Sequence, residues 1–387
     1  MNDRMPLRQD AVGLYLHIPF CERRCRFCAF FTRGHRDDRV TTFVADLVAE
    51  IRLAAGADLL RGRPVETVYF GGGTPTTLSA EQLFTIVEAY RQSFAVAPTV
   101  EITVEANPAG MEEADLRALR AGGINRISFG AQSFDEADLE RAGTPHRVAD
   151  IARAVGGARQ AGFSNLNLDL MYGLPDHSSD RWLATLNAAI ALEPDHLSFY
   201  GLTLEEGTSF YREAQEGHLT VPGEDRMADL YRIGRERLTA AGYLQYEVSN
   251  FARSGHACRH NLGYWTDREW LGLGPSAHSY LNGDRFSHVA SLDEHHRLVT
   301  SGLAPVAERE TGTPDLRLRE AIAFGLRTVE GVRVSPLEHR YRLDPIERFH
   351  RAIEKLTREG WLVWEGGRLR PSPAGMMMAD ELAMAFL

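Results

Sequence analysis

The chain has 387 residues, 44% hydrophobic and 25% charged, an ordinary globular composition with length enough for a large core and a smaller one. Its formal net charge of −10 argues against a general affinity for phosphate backbones or anionic membranes. The segment from Met1 to Asp10 has no apolar signal-peptide core, and no later stretch approaches the roughly 18 uninterrupted apolar residues of a membrane span. A cytoplasmic protein is expected. The cysteines fit a reducing compartment: three crowd into Cys21–Cys28, where they suit metal ligation better than disulfides, and Cys258 stands far away.

Strand-like and helix-like segments alternate along the chain. Strands are expected at Leu14–Ile18, Val65–Phe70, Val100–Glu105, Ile124–Gly130, Asn165–Met171 and His196–Leu204, apolar runs that each end in Gly, Pro or polar residues. Between them, Val40, Phe43, Val44, Leu47, Val48 and Ile51 recur at helical spacing, and Ser79-Ala-Glu-Gln82 reads as a capping box. Further helices are expected at Arg147–Gln160, Asp180–Leu192 and Asp225–Ala241. Six such units imply parallel strands with right-handed crossovers. A full barrel needs two more, so the expected fold is α/β, a partial (β/α)6 barrel.

The pattern changes after about Gly302, which divides the chain into residues 1–302 and a smaller module, 303–387. Helices at Leu316–Leu326 and Ile346–Thr357 precede a hairpin, Gly360–Arg370, turning at Gly366-Gly367, and a last helix runs from about Pro373 to the end. That order is winged-helix-like. From Thr313 onward there are 12 Lys/Arg against 11 Asp/Glu, a poor balance for phosphate contacts, so packing on the barrel is expected and nucleic-acid binding is not.

Cys21-Glu-Arg-Arg-Cys25-Arg-Phe-Cys28 is a C-x3-C-x2-C motif directly after the first strand. Three thiolates on one tight loop can ligate three irons of a four-iron, four-sulfur (4Fe-4S) cluster and leave the fourth iron open. Zinc is the alternative, but it normally takes four protein ligands, and only His17 or His35 lies near enough in sequence to be a fourth. With its setting, Tyr15-Leu-His17-Ile-Pro19-Phe20-Cys21, the motif resembles radical S-adenosylmethionine (SAM) proteins of the oxygen-independent coproporphyrinogen oxidase-like branch. The resemblance implies a 4Fe-4S cluster that passes an electron to S-adenosyl-L-methionine, whose cleavage yields a 5′-deoxyadenosyl radical.

Gly71-Gly72-Gly73-Thr74-Pro75 follows the second strand, and glycines let backbone approach a ligand without Cβ obstruction. The resemblance makes Gly72, Gly73 and Thr74 the cradle for the methionine amino group. It also places Glu105, Gln132 and Asp169, with Phe27 and Tyr15, against the rest of SAM. Two departures stand out. Gly143-Thr144-Pro145-His146 replaces a common Gly-Arg-x-His, removing an arginine that faces SAM in the family, and Phe30 stands where the true oxidase carries a further cysteine.

A second constellation is Cys258-Arg-His260-Asn261-Leu-Gly-Tyr264-Trp265. It resembles the H-N-x-x-Y-W motif of HemW-type heme chaperones, as do Tyr246–Phe251 and Leu271–Tyr280. A neutral imidazole is a good axial ligand for heme iron, so His260 is the expected ligand and Cys258 a secondary one, with Asn261, Tyr264 and Trp265 beside the porphyrin and Arg259 pairing a propionate. A buried histidine among core aromatics is the competing reading. The resemblance implies a chaperone whose partners are heme and a heme-accepting apoprotein, and leaves open a homodimer and peripheral membrane contact through the acceptor. The alternatives are the oxidase itself or a HemN-like radical SAM methyltransferase.

Overall fold

The computed structural model describes residues 10–387. Residues 1–9, and with them the reading of the N-terminal segment, lie outside the described residues. Six strands, β1 (Val12–Ile18), β2 (Val65–Gly72), β3 (Val96–Ala106), β4 (Arg126–Gln132), β5 (Leu166–Tyr172) and β6 (His196–Gly201), pair in parallel in sequence order. Successive side chains of a strand point to opposite faces. One face presents Leu14, Leu16, Val68, Phe70, Ile102 and Val104, all fully buried in the main core that the flanking helices complete. The other presents Tyr15, Thr67, Glu101, Ser128, Asn167 and His196, a polar interior for an open barrel.

The expected helices form at Asp37–Gly56, Ala80–Ser93, Val148–Gln160, Ser179–Ala191 and Glu224–Ala240. The capping box is present: Gln82 N donates to Ser79 Oγ at 3.2 Å, and Ser79 N donates to Gln82 Oε1 at 2.9 Å. The sequence reading passed over the short helices Glu113–Ala121 and Glu136–Ala142, whose lengths give little periodicity.

The sheet reaches beyond the expected six strands to twelve. On one side β8 (Asn250–Ala252) pairs antiparallel with β6, and β7 (Leu244–Gln245) pairs antiparallel with β8 at the sheet edge. On the other, β9 (Trp270–Leu273) lies parallel to β1, followed by the antiparallel β10 (His278–Leu281), β11 (Asp284–His288) and β12 (Val306–Thr311). A hairpin signal was present there: Asn282 and Gly283, both at positive φ (54° and 82°), form the two-residue turn between β10 and β11.

The large sheet thus runs to Thr311, past the expected division at residue 302. A second core then gathers Leu318, Ile322, Leu326, Leu356, Leu362 and Leu369. Helices Pro314–Gly325, Val334–Tyr341 and Pro345–Arg358 pack with a three-stranded antiparallel sheet, Val332–Arg333, Arg368–Pro371 and Leu362–Glu365, in winged-helix order. The hairpin turns at Gly366-Gly367, both at positive φ, as expected. The helix Val334–Tyr341 was missed because Pro336 sits in its first turn. The last helix is shorter than expected, a 3₁₀ turn at Gly375–Met378 and then Ala379–Met384. Among the described residues no helix is long and apolar enough to cross a membrane.

One buried carboxylate ties the extension to the barrel. Glu50, on the helix Asp37–Gly56, accepts from Gly274 N at 2.9 Å and His295 Nε2 at 2.7 Å, with His288 Nδ1 at 3.0 Å. Burial pushes its pKa up, but the hydrogen bonds and charges of the two histidines outweigh this and hold it at about 2. Removing one partner of a buried pair strands the others. Glu50→Ala is therefore expected to cost roughly 3–5 kcal/mol in urea unfolding; a loss below about 1 kcal/mol would show that His288 and His295 are satisfied without it.

Candidate functional site

The parallel strands all end at one rim, where the connecting loops can combine residues from several strands. Cys21, Cys25 and Cys28 lie on the loop after β1, each half-buried and free. The neck of that loop is tied by backbone bonds, Arg33 N to Pro19 O at 2.6 Å and His35 N to Cys21 O at 3.2 Å. Inside it Cys28 N donates to Cys25 O, and Thr74 Oγ1 lies 3.6 Å from Cys21 Sγ. Burial pushes all three thiols up, Cys25 to about 12, so ligation must displace their protons.

The histidines that a zinc site would need are not poised to join. His17 is buried with Nδ1 near Tyr15 Oη (3.2 Å) and Nε2 near Phe31 O (3.1 Å), and His35 is exposed. Among the described residues no three His, Cys, Asp or Glu side chains are gathered for a single metal ion. Thiolates that each take a different iron of a cluster need wider spacing than ligands of one ion.

Beneath the cysteines opens a cavity of about 600 Å³, within the range of small-molecule sites. Phe27, Gly72, Gly73, Thr74, Glu105, Gln132 and Asp169 line it with the three cysteines, so sequence-distant candidates converge. Tyr15 does not line it; the ring lies behind Gly71 and stacks on Tyr69. Tyr69, Ser128 and Tyr200 do line the cavity and were missed, although each falls on the polar side of a period-two strand. Phe30, 68% exposed, stands at the mouth.

Glu105 accepts from Tyr69 Oη at 2.8 Å and from Gly72 N at 3.3 Å. Burial, with the nearby charge of Asp169, pushes its pKa up to about 7. Asp169 accepts from Ser128 Oγ and Asn167 Nδ2, both at 2.9 Å. Gln132 holds a positive φ of 63°, a conformation that costs a non-glycine residue energy and is concentrated at functional sites. Thr144, in place of the family's arginine, is buried and donates to Leu139 O and His146 O, so its hydroxyl serves the backbone.

Besides lining the cavity, the glycine run has a packing role that its sequence does not announce. Gly72 has φ +110°, and a Cβ there would meet His17 at 2.6 Å. A Cβ on Gly73 would meet Phe20 O at 2.5 Å and Ile18 O at 2.9 Å, so this glycine makes room for the cysteine loop. Gly73 N and Thr74 N donate to those same carbonyls at 2.8 and 2.7 Å.

The histidine motif lies at the opposite end of the barrel, on the helix Arg259–Trp265. About 17 Å of strand separates Thr67, beside His260, from Gly72 at the cavity. His260 is buried: Nδ1 lies 2.8 Å from Thr67 Oγ1, Nε2 lies 2.9 Å from Tyr264 Oη, and the ring stacks on Tyr69 at 5.1 Å. Burial, then the charge of Arg126, pushes its pKa down to about 3, so the imidazole is neutral. Cys258 is fully buried and burial pushes its thiol up to about 12. Asn261 is half-buried, and Trp265 packs toward Phe324 and Arg327 of the C-terminal module. Arg259 is engaged with Thr99 O and Glu66. The cavity beside His260 measures about 20 Å³, room for one water.

The family model described as the radical SAM superfamily matches residues 15–189, and that of the HemN C-terminal domain matches residues 313–378. The protein named heme chaperone HemW from Mycobacterium tuberculosis H37Rv is 36% identical over 391 residues, covering 99% of this chain and 96% of that one. The chain belongs to the HemW family of radical SAM proteins. Membership of the superfamily implies a 4Fe-4S cluster and SAM. Its HemW relative in Bacillus subtilis is 32% identical, covering 96% of this chain and 98% of its own, and a mouse mitochondrial radical SAM domain-containing protein is 34% identical, covering 97% and 87%. The solved structure of coproporphyrinogen III oxidase (HemN) from Escherichia coli superposes with a TM-score of 0.85 over 97% of this chain and 89% of that one. At 24% identity that likeness establishes the shared fold.

Because Gly73 packs on the cysteine loop, Gly73→Ala should cost about 1–3 kcal/mol as the loop gives way. It should also lower the iron retained after anaerobic reconstitution. Unchanged stability and iron content would mean that the loop does not rest on this glycine.

Proposed function

We propose that this protein is a cytoplasmic heme chaperone on a radical SAM scaffold, which binds heme and hands it to an apoprotein. The observation that carries this reading is the near full-length relationship to proteins named heme chaperones, at 36% and 32% identity. Phe30, in place of the oxidase's cysteine, supports the chaperone over the decarboxylase.

In this reading Cys21, Cys25 and Cys28 hold the cluster. The fit rests on three free thiols at the edge of a roomy cavity and on a glycine-rich turn that leaves backbone close to them. Gly72, Gly73, Thr74, Phe27, Glu105, Gln132 and Asp169 would surround SAM, with Tyr15 supporting them from behind. When bound, the cluster supplies an electron to SAM. The protein's own part is to tie the loop neck, to hold Glu105 and Asp169 through Tyr69, Ser128 and Asn167, and to keep the cavity partly closed from water.

Heme is the cargo, with His260 as axial ligand, Cys258 secondary, and Asn261, Tyr264 and Trp265 around the porphyrin. A neutral imidazole suits iron ligation. The space beside it does not hold a porphyrin while the helix Arg259–Trp265 is seated, so loading requires that helix to swing out and His260 to leave Thr67 and Tyr69. We place the division between scaffold and C-terminal module just after β12. Pairing of two copies, and membrane contact through the acceptor, belong to the same proposal, with size exclusion and vesicle flotation as their assays.

The test is an anaerobic hemin titration of the reconstituted full chain, followed in the visible spectrum. His260→Ala should shift the Soret band and weaken binding about tenfold or more, the loss of one good interaction of about 1.4 kcal/mol, and by more than Cys258→Ala does. Unchanged spectrum and affinity in His260→Ala would overturn the ligand assignment and turn attention to His256 or His278. A wild-type chain that binds no hemin would overturn the chaperone reading.

A further inference from the structure

Two threads of contacts cross the barrel interior from the SAM cavity to the histidine helix. The first is a hydrogen-bond relay with one direction throughout. Cys258 N donates to Tyr246 Oη at 3.3 Å, and Tyr246 Oη donates to His196 Nε2 at 2.7 Å. His196 Nδ1 donates to Asn167 Oδ1 at 2.6 Å, and Asn167 Nδ2 donates to Asp169 Oδ1 at 2.9 Å in the cavity wall. The second is shorter. Glu105 in the cavity holds the Tyr69 hydroxyl, and the Tyr69 ring is the surface on which His260 stacks. Glu101 completes the seat by accepting from Arg259 N at 2.9 Å and His260 N at 3.2 Å.

His196 and Tyr246 are buried, and each of the two polar nitrogens of His196 is used. Unpaired buried polar groups cost about 1–3 kcal/mol each, so the relay holds or breaks as a unit. We infer that Tyr69 and His196 are positioning residues through which SAM in the cavity holds the helix Arg259–Trp265 shut. Contacts from SAM to Glu105 and Asp169 fix the upper end of each thread. That fixes the ring under His260 and the acceptor of Cys258 N, which raises the cost of swinging the helix out. With the cavity empty, the same groups move more freely and the helix opens more often.

The inference rests on the reading of the cavity as the SAM site. Because the proposed heme ligand sits on this helix, SAM and heme then oppose each other. Coupling between sites is reciprocal, so heme must loosen SAM by the same factor. Such couplings commonly run from about 5-fold to 150-fold.

Amide hydrogen exchange of the reconstituted full chain tests this without heme. Saturating SAM should slow exchange across residues 259–265 by about fivefold or more in the wild type. Tyr69→Phe keeps the ring and removes only the hydroxyl, so it should fold normally; His196→Phe keeps a buried ring and removes both nitrogens of the relay. Each should lose part of the SAM effect and the double variant nearly all of it, with every variant measured at a SAM concentration that calorimetry on that variant shows to be saturating. A parallel hemin titration should give a weaker affinity with SAM than without in the wild type. Exchange that slows while hemin affinity ignores SAM supports the coupling and removes His260 as the heme ligand, so the two readings fail separately. Exchange at 259–265 that ignores bound SAM, or a SAM effect that survives intact in the double variant, overturns the inference.

Discussion

Buried polar groups on the inner face of the barrel must find one another, and both ends of the molecule depend on how they do so. Apolar and polar residues alternate along the six parallel strands, so the outer face packs under helices while the inner face is left with hydroxyls, amides, imidazoles and carboxylates. In such an interior a satisfied group stabilises and an unsatisfied one costs. Ser128, Asn167, Asp169 and His196 bond across adjacent strands, and Tyr69 bonds Glu105. The cavity near the cysteines and the seat of the histidine helix lie at the two ends of these two sets of contacts.

The helix Arg259–Trp265 closes the far end and joins the two cores. His260 and Tyr264 point into the barrel, while Trp265 meets Phe324 and Arg327 of the C-terminal module. A movement of this helix is therefore felt on both sides. The winged-helix-like module thus serves as a packing partner, in line with its balanced charge.

Much of the scaffold was legible because strongly apolar strands and amphipathic helices announce themselves locally. The β10–β12 meander was not, since its strands are short and its clearest mark was the Asn282-Gly283 pair. The cysteine loop and glycine run were legible as motifs, yet the role of Gly73 depends on the carbonyls of Ile18 and Phe20, which no local pattern reveals. Tyr15 was assigned to the cavity and stands behind it, whereas Tyr69 was passed over. Telling these two inward-facing tyrosines apart requires the three-dimensional course of Gly71–Gly73. Likewise, Asn167, His196 and Tyr246 are single polar residues in separate segments; only the pairing of β5 with β6, and of β6 with β8, makes them a relay.

The proposed function depends first on the three thiols at the rim, which are proposed to hold a cluster whose open iron faces the cavity beneath them. Electron paramagnetic resonance of the anaerobically reconstituted, chemically reduced protein tests it most directly. A 4Fe-4S signal should appear, and adding SAM should change its g-values as the open iron gains ligands, while Cys25→Ala should show no such signal. A reduced-cluster signal that is identical with and without SAM, or that survives in Cys25→Ala, would remove these thiols as the ligands of an open cluster.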